Sequence, residues 1–166
     1  MAEYTIREVL TRRDLKRFIR FPVTLYKGCS QYVPPLYKGQ EHELMHSAPL
    51  KYCRRKMWLA EDASGNVVGR ICAVINPRYN EKYGTRRVRF GWFDLINDPE
   101  VARLLFDTAE KWAKEQGMDE IHGPLYYNTL GRQGMLVEGF DRLCTMALIY
   151  NHPYYPEHMK KHGYYK

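Results

Sequence analysis

The stretch from Val67 to Leu125 constrains this chain more than any other. Val67-Val-Gly-Arg-Ile-Cys-Ala-Val-Ile-Asn76 follows the turn Ser64-Gly65-Asn66 and is rich in β-branched and apolar residues, which is the composition of a strand. Val88-Arg-Phe-Gly-Trp-Phe-Asp-Leu-Ile96 is a second such run. Asp98 can cap a helix that starts on Pro99 and stops at Gly117. Within it Val101, Leu104, Leu105, Thr108, Ala109, Trp112 and Ala113 recur at three- and four-residue spacing, which makes one buried face. Ile121 to Leu125 reads as another short strand. An antiparallel pair, a crossing helix and a parallel neighbour define an α/β core over 67–125.

The remainder is arranged around that core. Tyr4 to Leu10 can be a first strand. Thr11 and Asp14 have the spacing of a capping box for a helix over Arg12 to Arg20, which Pro22 breaks or restarts and Gly28 ends. Tyr32-Val-Pro-Pro-Leu36 is extended, because a residue before proline avoids the helical region, and a short helix spans Tyr37 to His46. Lys56 to Glu61 pairs with the strand that begins at Val67. Pro77 to Thr85 reads as a polar loop, and Tyr126 to Phe140 as a glycine-punctuated segment. Thr145 to Tyr150 reads as a strand, and Pro156 to His162 as a last helix.

A chain of 166 residues is long enough for one domain with a sizeable core, and we expect a single domain over 1–166. No apolar run reaches the eighteen or so residues of a membrane span, and the start lacks the plan of a secretion signal. Cys29, Cys53, Cys72 and Cys144 show no Cys-x-x-Cys spacing and are expected as free thiols, with Cys72 and Cys144 as inert core residues. The expected location is the cytoplasm. Net charge is +7, and all of it lies in the first third: residues 1–60 hold 12 Lys and Arg against 5 Asp and Glu, while 61–166 balance. That basic part suits CoA phosphates, an anionic membrane surface or nucleic acid. Arg86-Arg-Val-Arg-Phe-Gly-Trp92 alternates cations and aromatics as an RNA-stacking strand would, but period-two alternation on a half-exposed strand explains it as well, and no nucleic-acid partner is expected.

His42-Glu43-Leu44-Met45-His46 has the His-Glu-x-x-His spacing of zinc hydrolases. Gly39 and Pro49 confine its helix to about two turns, and no third ligand is evident. A zinc metallohydrolase through His42 and His46 therefore ranks last, and no metal is expected. His158 and His162 flank two lysines, which disfavours a dication. Tyr79, Tyr83, Tyr126, Tyr127, Tyr150, Tyr154 and Tyr155 fall in loops or at strand ends, where they could wall a cleft for an apolar chain.

This order of elements, closed by Tyr154-Tyr-Pro-Glu-His-Met-Lys-Lys-His-Gly-Tyr-Tyr165, resembles the GNAT superfamily of acyl-CoA N-acyltransferases. More closely it is similar to a bacterial group of uncharacterised GNAT-like proteins that share Tyr32-Val-Pro-Pro-Leu36, Val68-Gly-Arg70, the Asn97-Asp-Pro-Glu100 helix start, Leu136-Val-Glu-Gly-Phe140 and Pro153-Tyr-Tyr-Pro156. Some of that group are connected with acylation of long-chain amines. The resemblance implies a central, mostly antiparallel sheet flanked by helices, an acyl donor held where the last two strands part, and a transferase that joins an acyl group to an amine. It implies acyl-CoA as co-substrate near Trp92, Phe93, Asp94 and Asn97, a substrate cleft at Tyr126 and Asn128, and Tyr154 or Tyr155 as proton donor. A small-molecule or lipid-like amine is the implied acceptor, with a second GNAT-like domain or a second copy as partner and a peripheral contact with an anionic membrane.

The sequence departs from the superfamily at three places. The glycine-rich phosphate loop is replaced by Leu95-Ile-Asn-Asp-Pro-Glu100, in which Pro99 lacks an N–H and two carboxylates repel phosphate. The tyrosine expected four residues before the last helix's closing glycine is Met159. Strands expected after that helix are lacking, so the resemblance implies the N-terminal half of a longer protein. The chain alone is expected to bind acyl-CoA weakly or not at all. The alternative function is a non-catalytic GNAT-like binding or packing domain.

Overall fold

A computed structural model of the chain describes residues 3–128, 131–145 and 148–166. Among them one five-stranded sheet has the order β1 (Thr5–Glu8), β2 (Arg54–Glu61), β3 (Val67–Ile75), β4 (Arg87–Leu95), β5 (Glu120–His122). The first four strands are antiparallel and β5 lies parallel to β4. Helices α1 (Arg12–Leu25) and α2 (Tyr37–His46) pack on one face. Helix α4 (Pro99–Glu115) covers the other, with α5 (Tyr154–Lys161) against it, while the short α3 (Pro77–Tyr83) joins β3 to β4. No helix is long and apolar enough to cross a membrane among these residues.

The crossover forms as its sequence dictates. Asp98 accepts from the Glu100 amide, Pro99 fills the first turn, and Val101, Leu105, Phe106, Ala109 and Trp112 face the sheet. At the far end of the sheet Thr11 and Asp14 close a reciprocal capping box on α1.

Three segments differ from expectation. Pro22 does not break α1, which runs through it to Leu25. The segment expected as a loop over Pro77 to Thr85 is instead a helix over Pro77–Tyr83: the Asn76 side chain accepts from the Tyr79 amide, Pro77 opens the turn, and Gly84 closes it with a φ of 61°. Thr145 to Tyr150 is no strand where it is described, at Thr145 and 148–150; Met146 and Ala147 lie outside the described residues. Asn151 does the work of a ladder there, since its side chain accepts from the Leu136 amide at 2.7 Å and donates to the Leu136 carbonyl at 3.1 Å. All four cysteines are free; Cys72 is buried in the core, whereas Cys144 is only half-buried.

The feature that positions the site is a bulge in β4. Cys72 pairs with Gly91 and Arg70 with Asp94, so β4 spends one residue more than β3 between these pairs. Trp92 takes up the excess with a φ of 45°, the one positive φ among the described non-glycine residues. The bulge reverses the alternation of the strand. Val88 and Phe90 face α4 before it, and Phe93 and Leu95 face α4 after it. Trp92 is thereby turned to the side of α1 and α2, and Asp94 with it. Without the extra residue the Asp94 carboxylate would point into the apolar face of α4.

Candidate functional site

Asp94 is 6% exposed and stands opposite Arg70, itself 5% exposed. The Arg70 Nε and Nη2 both reach Asp94 Oδ2 at 2.7 Å. Asp94 Oδ1 accepts from the Tyr26 hydroxyl at 3.1 Å and the Tyr155 hydroxyl at 3.3 Å, and these two hydroxyls lie 2.8 Å apart. A buried charge persists only when paired and hydrogen-bonded, and both conditions are met here.

Pro22 explains the remaining anchor of Arg70. In α1 the carbonyl of Phe18 should receive the N–H of residue 22, but proline has none. Arg70 Nη1 takes that acceptor at 2.8 Å, and its guanidinium lies over the Phe18 ring. The proline opens a hydrogen-bonding position in the middle of a helix, and the buried arginine fills it.

Beyond the bulge the strands part. β5 pairs with β4 only from Arg87 to Arg89, and a last bond joins the Leu125 amide to the Phe90 carbonyl at 2.7 Å. Trp92 and Phe93 have no register partner on either side. Further along, Leu95 exposes an edge that α5 covers. Its amide donates to the Tyr155 hydroxyl at 3.1 Å, and its carbonyl accepts from the Tyr154 hydroxyl at 2.7 Å. Burial, then Asp94, pushes both tyrosines' pKa values above the ordinary range, so both keep their protons at neutral pH.

A cavity of about 40 Å³ lies in the cleft between Arg70, Asp94, Trp92, Tyr126, Tyr155 and Tyr32. It has room for a few water molecules. Burial pushes the Tyr32 phenol up to about 12. Tyr126 stacks on Trp92 with centroids 3.5 Å apart and 12° between the planes. The Trp92 indole N–H donates to Gln40 Oε1 at 3.1 Å. Asn128 lines a second cavity on the far side of Tyr126.

The start of α4 is occupied by its own side chains. Asp98 caps it and accepts from the Tyr4 hydroxyl at 2.8 Å, and Glu100 pairs with Arg103. Asn97 Oδ1 lies 3.0 Å from His158 Nε2. Of the sequence-derived candidates, Trp92, Asp94, Tyr126 and Tyr155 are thus brought to one cavity that Phe93 also lines, Tyr154 joins them through Leu95, and Asn97 lies beyond them at the helix start. The sequence reading passed over Tyr26, Gln40 and the pairing of Arg70 with Asp94. Arg70, the one charge in β3, and Asp94, the one acid in the neighbouring β4, were the available signal.

His42 and His46 stand exposed on α2 with ring centroids 5.8 Å apart. Among the described residues no group of three His, Cys, Asp or Glu could hold a metal ion. The arginines of the cation-aromatic run have partners within the chain: Arg86, just before β4, pairs with Asp119 at the surface, Arg87 pairs with Glu120, and Arg89 donates to the Tyr127 carbonyl.

No family model matches the chain. It is 37% identical over 162 residues to protein YghO of Escherichia coli (strain K12), an alignment covering 97% of this chain and 41% of that protein. It is 28% identical over 170 residues to a bacterial ceramide synthase of Caulobacter vibrioides, covering 99% and 44%. The chain therefore spans less than half the length of these curated relatives. Among solved structures, a predicted acetyltransferase with acetyl-CoA from Clostridium acetobutylicum superposes with a TM-score of 0.58 at 15% identity over 99% of this chain and 91% of that one. A tandem GNAT protein from the clavulanic acid biosynthesis pathway gives 0.56 at 14% identity over 70% and 34%. The five-stranded sheet flanked by helices thus belongs to a known architecture: this chain has the GNAT acyltransferase fold.

Proposed function

We propose that this chain is a GNAT-fold unit of a bacterial, cytoplasmic acyl-CoA-dependent N-acyltransferase that joins an acyl group to a lipid-like amine. The observation that carries the reading is the bulge at Trp92 beside the parted strands, which leaves 92–93 without strand partners next to a polar, aromatic-walled cleft. A ceramide is an amide of a long-chain amine, and the similarity to a ceramide synthase supports an acceptor of that class.

In such a transfer the amine nitrogen attacks the thioester carbonyl, the C–S bond breaks, the nitrogen loses a proton and the thiolate gains one. Backbone N–H groups of 92–94 are suited to polarise the carbonyl. Tyr126 and Asn128 would wall the acceptor side, and Tyr154 or Tyr155 would serve the leaving thiolate. Because both hydroxyls are tied to Leu95, that role requires α5 to release the strand. The acyl-CoA would meet Trp92, Phe93, Asp94 and Asn97. The exposed cations of α1, namely Arg12, Arg13, Lys16 and Arg20, would face an anionic membrane, and a second GNAT-like domain or a second copy would complete the enzyme.

A second reading has its own support. Leu95 is covered by Tyr154 and Tyr155, and Asp98 and Glu100 crowd the start of α4. Both favour a unit that packs or binds without seating acyl-CoA. Calorimetry with acetyl-CoA and palmitoyl-CoA, followed by mass spectrometry for the amide of octadecylamine, separates the two. Micromolar binding and amide formation support the transferase, whereas absence of both in this chain and in a longer chain refutes it.

A further inference from the structure

The Glu43 carboxylate is partly buried on the α2 side of the sheet, with no cation beside it among the described residues. Among the described residues its side-chain hydrogen bond comes from Gln40 Nε2 at 2.9 Å. Among the described residues no Lys, Arg or His stands within ion-pair distance of it. Arg132 acts on it only from further away. Burial raises its pKa, as expected for a carboxylate that lacks a counter-charge. Two buried carboxylates of this protein have the cation that Glu43 lacks: Asp94 has Arg70, and Glu61 has Arg7 and Arg17.

Glu43 borders an open cavity of about 260 Å³, together with Ser47, Tyr126, Tyr127 and Asn128. Of the residues in that wall, Ser47 and the 3%-exposed Tyr127 have buried hydroxyls with no hydrogen-bond partner among the described residues. Buried polar atoms are rarely left unpaired, so polar groups lie unsatisfied behind this wall, while the Glu43 carboxylate stands at its rim. The cavity also adjoins the cleft. Tyr126 separates it from the Asp94 cavity, and the chain from the Trp92 indole through Gln40 to Glu43 runs from the bulge to its rim.

We propose that this cavity is a binding site for a primary ammonium group, held by the Glu43 carboxylate. An ammonium supplies the missing positive charge and three donors, from which the free carboxylate lone pairs of Glu43 can accept. The volume suits a small amine headgroup, with any attached chain leaving through the open side. The site stands on the geometry of Glu43 alone. That its occupant is the acceptor of acyl transfer rests on the reading above.

The test is titration of the chain with n-butylammonium chloride, followed residue by residue in ¹H–¹⁵N NMR spectra, with n-butanol and sodium acetate as controls. Butylammonium should shift the amides of Glu43 to Ser47 and Tyr126 to Asn128 saturably, and the controls should not. Glu43→Gln should weaken the binding at least tenfold, and Glu43→Asp, which keeps the charge, should weaken it less. The same spectra report whether each variant is folded. Equal shifts with butanol, undiminished binding by Glu43→Gln, or shifts confined to surface acids such as Asp119 and Glu120 would each overturn the site. Because no acyl donor is present, failure here leaves the transferase reading standing. Binding here without amide formation would count against that reading instead.

Discussion

Arg70 and Asp94 face each other across β3 and β4 with two nitrogen–oxygen distances of 2.7 Å, at the first register pair beyond the bulge. Their energetics are those of a pair taken out of water. Arg70→Met should destabilise the fold by about 3–5 kcal/mol, because it leaves Asp94 charged, buried and unpaired. The double variant Arg70→Met/Asp94→Leu should recover most of that loss. Denaturant unfolding of the two single variants and the double variant gives the answer, and a double variant no better than Arg70→Met alone would contradict it.

Gly91 lets β4 and the segment after β5 meet. A Cβ there would lie 2.5 Å from the Leu125 carbonyl oxygen, and the obstacle is backbone. Gly91→Ala should cost about 1–3 kcal/mol or more by overpacking and should widen the cleft. A Tm equal to that of the parent would contradict the close approach.

Three histidines should make the protein less stable as the solution becomes mildly acidic. Burial lowers the pKa values of His122, His152 and His158 from the ordinary 6.5, with Arg87 and Arg89 adding to the effect at His122 and Lys161 at His158. The unfolded chain then binds protons that the folded chain refuses. Stability falls as pH drops through about 6.5 and stops falling below the lowered folded values. The slope of unfolding free energy between pH 7 and 5 should be positive in pH, and His158→Gln should reduce it.

The capping box of α1 behaves in the opposite range. Thr11→Ala should cost about 1 kcal/mol. The hydrogen bond from Thr11 holds Asp14 below the usual carboxylate value of 3.8. The stabilisation from Asp14 is present above that value and is lost as pH falls through the lower folded one. Asp14→Asn should therefore flatten the acid limb of the stability profile.

Much of this fold could be read locally. The caps at Thr11 and Asp98, the Ser64-Gly65-Asn66 turn and the apolar stripe of α4 are short-range signals, and each formed its element. Helix α3 carried the same punctuation in Asn76, Pro77 and Gly84, but it is short and buries no residue, so no apolar periodicity marked it. Thr145 to Tyr150 misled because its apolar residues suggested a ladder, whereas Asn151 pins the segment through a side chain. The candidate site was legible as a list but not as an arrangement. Trp92, Asp94, Tyr126 and Tyr155 were named, yet the bulge that turns Asp94 toward Arg70 depends on pairing with β3, and Tyr26 reaches Asp94 from 68 residues away.

Pro22 carries a consequence for how substitutions in this protein combine. The Phe18 carbonyl accepts from Arg70 because residue 22 cannot donate to it. In a chain that retains Arg70, Pro22→Ala would introduce a competing donor at an oxygen already in use, while removing a proline costs the helix nothing. In a chain lacking Arg70, the same alanine would satisfy an oxygen otherwise left bare, and it should help. Positions 22 and 70 are therefore one unit of inheritance: the effect of a change at either depends on the genetic background at the other, and scanning them singly would misjudge both.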